Sequence, residues 1–216
     1  NPFFYKLKLD NIIGVIHMNY IIVILISYLI GSISPARIIT HKVLGIDIRD
    51  VNSKSAGTSN AVMTLGLKWG SLVGFLDLIK GFIPVLIVRF IFHDNDIIWF
   101  VSGIGLVLGH VYPLYMGFHG GKGTATFGGI LFAIAPVQTL ILVVLFTILT
   151  IVTDYIAVST LIMVTLVPIV MYFDDYSTIS IGIVLFFVVL SFYKHYPNII
   201  RIINKQEVGL KEGLKK

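Results

Sequence analysis

From Tyr20 to Ile39 the chain runs through apolar residues with no charge before Arg37, and a helix needs about 20 such residues to cross a bilayer. Further apolar runs follow at short intervals: Trp69 to Phe92, Ile97 to Leu114, Thr124 to Ala135, Pro136 to Val152, Tyr155 to Tyr172 and Ile179 to Tyr193. In hydrocarbon every backbone polar group must be satisfied internally, so this pattern admits a bundle of helices and little else. With 56% hydrophobic and 12% charged residues and a mean hydropathy of +0.94, nearly the whole chain belongs in lipid. The expected fold is an all-α integral membrane protein, a seven-span helical bundle with short or re-entrant segments around a cytoplasmic-side site.

The run from Thr124 to Thr153 carries no charge and contains Pro136, so it reads as one long tilted helix or two short ones. Lysine and arginine gather in cytoplasmic loops, and that bias decides between them. One helix would put the tail with Lys194, Arg201, Lys205, Lys211, Lys215 and Lys216 outside. Two keep it inside, leave Asp174 and Asp175 outside, and make the span from Thr124 to Ala135 short, with the loop before it dipping below the membrane surface. The same bias places Thr40 to Lys68 inside and His93 to Asp96, which has no lysine or arginine, outside. The N-terminus is then outside and the C-terminus cytoplasmic. The net charge of +5 is this orientation signal; no basic helix or aromatic-basic platform accompanies it, and no nucleic-acid partner is expected. The absence of cysteine excludes disulfides, thiolate metal sites and a cysteine nucleophile. Residues 1–17 precede the first methionine, Met18, and lack the order of a secretory signal. They are set aside as an N-terminal extension, either upstream translated sequence or an addition. Residues 18–203 form one polytopic domain, and 204–216 a basic, solvated cytoplasmic tail.

Polar residues within this apolar frame fall into clusters. Gly109 to Thr126, GHVYPLYMGFHGGKGTAT, holds Gly120, Gly121, Lys122, Gly123 and Thr124, a backbone rich in N–H groups around one fixed positive charge, which suits a phosphate. It is not a nucleotide P-loop, because Met116 stands where that motif needs glycine and Gly123 follows Lys122. Tight turns also use such glycines. Asp77 and Lys80, at i and i+3 in the second apolar run, share a helical face and form either a structural ion pair or part of a functional region. Gly31 to Pro35 lets the first helix kink, and Ser32 is either a packing serine or a hydroxyl facing a polar cleft. Asn52 to Asn60 is a run of small polar residues, and Lys194 to Arg201 places a histidine, a carboxamide and two cations in one short cytoplasmic segment. All these clusters fall on the same cytoplasmic side, as one cationic, glycine-lined site open to apolar helices would require. Such a site suits a phosphorylated molecule joined to a greasy tail.

GSISPARI, DIRD, Gly57 with Asn60, LDLIKG, GHVYPLYMGFHGGKGTATFGG and HYPNIIRIINKQE occur in this order between about Tyr20 and Glu207. Together they resemble the bacterial acyl-phosphate:glycerol-3-phosphate acyltransferase family of the PlsY type. The resemblance implies an enzyme of the bacterial cell membrane. Its activity would be transfer of a fatty acyl group from acyl phosphate to the 1-hydroxyl of glycerol 3-phosphate, giving lysophosphatidic acid for phospholipid synthesis. It implies no metal, no cofactor, and no need for coenzyme A or acyl carrier protein. Consistently, no histidine here has an aspartate five residues later, as the HxxxxD acyltransferases would. The implied catalytic residues are Ser32, His195 as general base and Asn198 as oxyanion donor. Phosphate and charge would be held by Arg49, Ser53, Asn60, Lys80, His110, Gly120, Gly121, Lys122, Gly123 and Thr124. The chain departs from the family pattern where GSGNxGATN and a following arginine are usual. It reads Asn52-Ser53-Lys54-Ser55-Ala56-Gly57-Thr58-Ser59-Asn60 and then Met63, which marks a divergent paralogue. A changed acceptor, or a non-catalytic lipid-binding or transport protein, remain the alternative readings.

Overall fold

The computed structural model describes residues 18–213, and these are helices and turns throughout, with no strand among the described residues; the extension at 1–17 lies outside them. Helix α1 (residues 18–32) and α2 (Pro35–Leu44) form the first span. They part where Pro35, having no N–H to give, starts α2, and Ser34 caps it by accepting from the Arg37 N–H. The freed carbonyl of Ile33 receives Lys80 Nζ at 2.8 Å, which repairs the break inside the bundle. Gly45 closes α2 in the left-handed conformation, with φ 71°.

Helix α3 (Thr58–Ile91) begins well before Trp69, in the stretch expected to be a polar loop. It is two limbs joined at Gly66, whose φ of 79° and ψ of 175° no helix accommodates. A Cβ on Gly70 would strike Val62, and one on Gly74 would press on Thr58, so the limbs run antiparallel as a tight helical hairpin. Thr58 therefore lies level with Gly74, and the loop that precedes it reaches into the bundle.

Helix α4 (Asp96–Val111) crosses α1 on glycines: Gly105 lies against the Ile24 carbonyl and Gly109 against that of Tyr28, the close approach that small residues permit in membranes. Helices α5 (Thr124–Ile134) and α6 (Pro136–Thr153) are separate, broken at Pro136 as the charge argument requires. Six helices are long and apolar enough to cross a membrane. The position read as the fourth of seven spans, α5, has 11 residues; it rises about 16 Å, roughly half the hydrocarbon thickness. The chain before it makes up length by turning back along the end of α4, where Gly120 N–H donates to the Val111 carbonyl at 3.1 Å and Gly121 N–H to that of His110 at 3.0 Å. Backbone meets backbone again where Gly81 of α3 faces the Thr126 carbonyl and Gly129 of α5 faces that of Leu78.

Helix α7 (Ile156–Phe173) precedes α8 (Thr178–Ile203). Lys194 to Arg201, read as a short segment after the last span, is the continuation of α8 through Pro197. The tail is not simply solvated as far as 213. Gln206 and Glu207 donate N–H to the Arg201 carbonyl, and Leu210, the first residue of the short α9 (Leu210–Gly213), donates to that of Asp154 at 2.7 Å.

Candidate active site

Two helices begin at this site without a side-chain cap: α3 behind Gly57 and α5 behind Gly123. The position of a Cβ on Gly57 lies 4.0 Å from the Gly121 Cα, so the first helix start stands against the loop that leads into the second. Each exposes first-turn N–H groups and the positive end of a helix dipole. Lys122 lies between Gly121 and the second of these starts, in the loop between spans. Burial pushes its ammonium down to about 8, opposed by the charge of Glu207 and assisted by those of Arg201 and Lys194. The geometry revises which loop groups face an anion. The N–H groups of Gly120 and Gly121 are spent on the carbonyls of Val111 and His110, so their glycines serve close packing. A Cβ on Gly120 would meet the His110 carbonyl, and one on Gly121 the His110 ring. Beside them stand the Lys122 ammonium and the uncapped start of α5 at Thr124.

Lys122 Nζ donates to Asn198 Oδ1 at 2.6 Å, and Asn198 Nδ2 donates to Glu207 Oε1 at 2.5 Å. Arg201 Nε closes the chain on Glu207 Oε2 at 2.6 Å. One helical turn of α8 thus ties the glycine loop to the tail, and one hydrogen of Asn198 Nδ2 stays available. His195, a turn earlier and 3% exposed, has Nδ1 2.9 Å from the Ser191 carbonyl. A carbonyl only accepts, so Nδ1 carries the proton of the neutral ring and Nε2 keeps a lone pair, the tautomer a general base requires. Its orienting partner is this main-chain oxygen.

A second buried cluster lies beneath the loop. Lys80 Nζ sits 2.8 Å from Asp77 Oδ1 and donates to His110 Nδ1 at 2.8 Å; Thr126 Oγ1 lies 3.3 Å from the same nitrogen. The ammonium expected to meet substrate is therefore occupied inside the bundle. Ser32 donates to the Tyr28 carbonyl at 2.8 Å and is 4% exposed, beside Gly109; it belongs to the wall.

Arg49 is likewise engaged, donating to both oxygens of Asp47 and to the Met116 carbonyl at 2.7 Å. The hydrogen bonds from Arg49 hold the Asp47 carboxyl at about 2 against its burial, with Arg37 adding charge. The pair braces the loop after α2 on the turn at Met116. Asn60 organises the same loop from within: Nδ2 donates to the carbonyls of Ile48, Val51 and Ser55, and Oδ1 accepts the Ser53 N–H. Ser53 and Asn60 therefore shape the approach to the α3 start. Asn52 and Lys54, which replace the family's glycines, adopt φ 47° and 53°, so the left-handed turns are made without glycine, at a conformational cost.

Sequence reasoning omitted three groups from the site. Glu207 and Asp47 were visible as the acids of HYPNIIRIINKQE and DIRD, but their partners emerge only when the tail and the loop fold back. Thr126 follows the glycine loop by one helical position and had no signal apart from it.

The model of the family described as glycerol-3-phosphate acyltransferase matches residues 21–205. A glycerol-3-phosphate acyltransferase of Pelagibacter ubique (strain HTCC1062) is 37% identical over 194 residues, covering 90% of this chain and 99% of the relative. One of Bacillus subtilis (strain 168) is 38% identical over 190 residues, covering 88% and 97%. Among solved structures, PlsY (YgiH), an integral membrane glycerol 3-phosphate acyltransferase in its glycerol 3-phosphate form, superposes with a TM-score of 0.83 at 31% identity, over 88% of this chain and 95% of that one. Its lysophosphatidic acid form gives 0.78 at 29% identity, over 91% and 99%. With the family match running from the first helix to the residues just past α8, and whole relatives aligned nearly end to end, this chain belongs to the glycerol-3-phosphate acyltransferase family.

Proposed function

We propose that this chain transfers a fatty acyl group from acyl phosphate to the 1-hydroxyl of glycerol 3-phosphate, releasing lysophosphatidic acid and inorganic phosphate at the cytoplasmic face of a bacterial membrane. The observation that carries this reading is the 2.6 Å bond from Lys122 to Asn198, which joins a phosphate-holding helix start to the turn of α8 that bears His195. Acyl phosphate has a good leaving group, so catalysis consists chiefly of orienting two anions and stabilising an oxyanion. Lys122 and the start of α5 hold one phosphate, and the start of α3 lies within reach of the other. The glycerol hydroxyl attacks the acyl carbonyl carbon. The new ester C–O bond forms, the bond to the phosphate oxygen breaks, and the hydroxyl proton passes to His195 Nε2 or to the departing phosphate. The remaining Asn198 N–H faces the developing oxyanion. No metal, cofactor, coenzyme A or carrier protein enters this scheme.

The test is lysophosphatidic acid formation from palmitoyl phosphate and glycerol 3-phosphate by the purified wild type, Lys122→Ala and His195→Ala. The expected loss is about 100-fold or more for each variant, within the range for a general base or an anion-stabilising group. Full turnover in both folded variants would remove the assignment.

A further inference from the structure

We propose that Asp154, in the turn between α6 and α7, is a positioning residue for acyl transfer: it latches the C-terminal strap, residues 204–211, and through Glu207 of that strap fixes the direction of the Asn198 amide. The proposal rests on the acyltransferase reading above. Asp154 ends α6 in the left-handed conformation, with φ 66°, which a non-glycine residue adopts at a conformational cost. Glycine would make the same turn without it. The aspartate is explained by the chain that folds back onto it. Its carbonyl accepts the Leu210 N–H at 2.7 Å, and its Oδ1 accepts the Lys211 N–H at 3.0 Å. Its Oδ2 lies where a Cβ on Gly209 would stand. Gly209 is buried and its φ is outside the left-handed region, so this position needs glycine for space rather than for a turn. Three consecutive residues of the strap are thus fitted to one aspartate.

A terminal segment keeps its order only where it is tied down. Two ties bracket Glu207. Behind it, the N–H groups of Gln206 and of Glu207 itself donate to the Arg201 carbonyl; ahead of it, Gly209 to Lys211 meet Asp154. Between the ties the Glu207 carboxylate accepts from Asn198 Nδ2 at 2.5 Å and from Arg201 Nε at 2.6 Å. An ammonium only donates and a carboxylate only accepts, so Lys122 and Glu207 together fix which end of the Asn198 amide faces which partner. The Nδ2 hydrogen not given to Glu207 is the one left for the oxyanion. Without the latch, Glu207 rides on a chain end held by the helix-terminal turn alone, and the amide is free to swing about its bond to Lys122. The glycine loop, α8 and the turn after α6, far apart in sequence, are joined by this one strap.

The test compares Asp154→Gly, Asp154→Asn, Gly209→Ala and the Asp154→Gly/Gly209→Ala pair, each in the whole chain in lipid. Asp154→Gly keeps the left-handed turn and removes the carboxylate. Amide hydrogen exchange over residues 204–213 should then quicken by about tenfold or more, the range for a lost hydrogen bond to a charged group. For lysophosphatidic acid formation from palmitoyl phosphate and glycerol 3-phosphate, kcat and kcat/KM should fall together by about fivefold to tenfold. That is the pattern of an interaction made only in the transition state, and it is smaller than the loss from deleting an oxyanion donor outright. Asp154→Asn, which retains the Oδ1 acceptor, should recover most of both effects. Gly209→Ala should reproduce the loss by colliding with the carboxylate, and the pair should be no slower than Asp154→Gly alone, because the collision is gone. Full kcat in an Asp154→Gly protein whose strap exchanges faster, unchanged exchange of the strap, or losses that add in the pair would overturn the proposal. A strap released by Asp154→Gly in a protein whose wild type transfers no acyl group would uphold the latch and reject the acyltransfer reading instead.

Discussion

Lys122 carries a charge that its surroundings oppose. With its pKa lowered by burial to about 8, the free enzyme loses the ammonium as pH rises through about 8, and kcat/KM for the phosphate we propose it holds should fall there. The same shift acts on stability in the opposite sense: between about 8 and the ordinary 10.5 the folded state binds fewer protons than the unfolded one, so stability rises with pH in that window. Lys122→Arg keeps its charge throughout, and its alkaline limb should move up by more than one pH unit at reduced maximal rate. An unmoved limb near pH 8 would assign the titration to another group. At this scale the residue types gathered in the candidate site were legible, because GGKG, histidine and asparagine are chemically distinctive. The direction of each polar group was not. Gly120 and Gly121 offer N–H groups on paper and spend them on α4, and Asn52 and Lys54 suggest an impaired loop yet take left-handed turns.

Helix α5 is held by backbone contact with α3. Gly81 faces the Thr126 carbonyl and Gly129 that of Leu78, with no space for a methyl group, whereas Gly128, next along the chain, faces open space. Gly81→Ala and Gly129→Ala should each destabilise the protein by about 1–3 kcal/mol, the usual cost of overpacking, and should shift the glycine loop enough to lower activity. Gly128→Ala should be neutral or stabilising by up to about 1 kcal/mol. Unfolding in detergent of the three variants side by side measures this; equal behaviour would refute the close crossing. The break at Pro136 was readable because proline and charge parity agree. The hairpin at Gly66 was not, since a single glycine among small residues gives no indication that the chain doubles back, and the extension of α8 was masked by Pro197, which the helix absorbs.

Across the whole molecule the charges are partitioned by face. Apart from Lys80 at mid-depth and Arg89 at the far end of α3, the described lysines and arginines lie toward the end that carries Lys122. The opposite end carries Asp94, Asp96, Asp174 and Asp175, with Asp96 accepting the Ser177 N–H across it. By the positive-inside rule, that partition supports the proposal that the site faces the cytoplasm. Because the chain has no cysteine, single replacements report cleanly: Asp94→Cys should react with an impermeant maleimide in intact cells and Lys205→Cys only after permeabilisation, and the reverse pattern would invert the molecule. Apolar runs made the bundle legible at this scale. The gathering of loops around Lys122 was inferred from sidedness alone, and the depth at which they meet was hidden, because it depends on the Gly66 hairpin and the short α5.

The central claim is that the site around Lys122 uses the donor's phosphate both as a handle and as the leaving group. The most direct measurement is the initial rate of lysophosphatidic acid formation by the purified protein in lipid, with labelled glycerol 3-phosphate and either palmitoyl phosphate or palmitoyl-CoA as the donor. Product from palmitoyl phosphate, with release of one inorganic phosphate per acyl group transferred and none from palmitoyl-CoA, is the predicted result. Transfer from palmitoyl-CoA at a comparable rate, or no transfer from palmitoyl phosphate by folded protein, would contradict it.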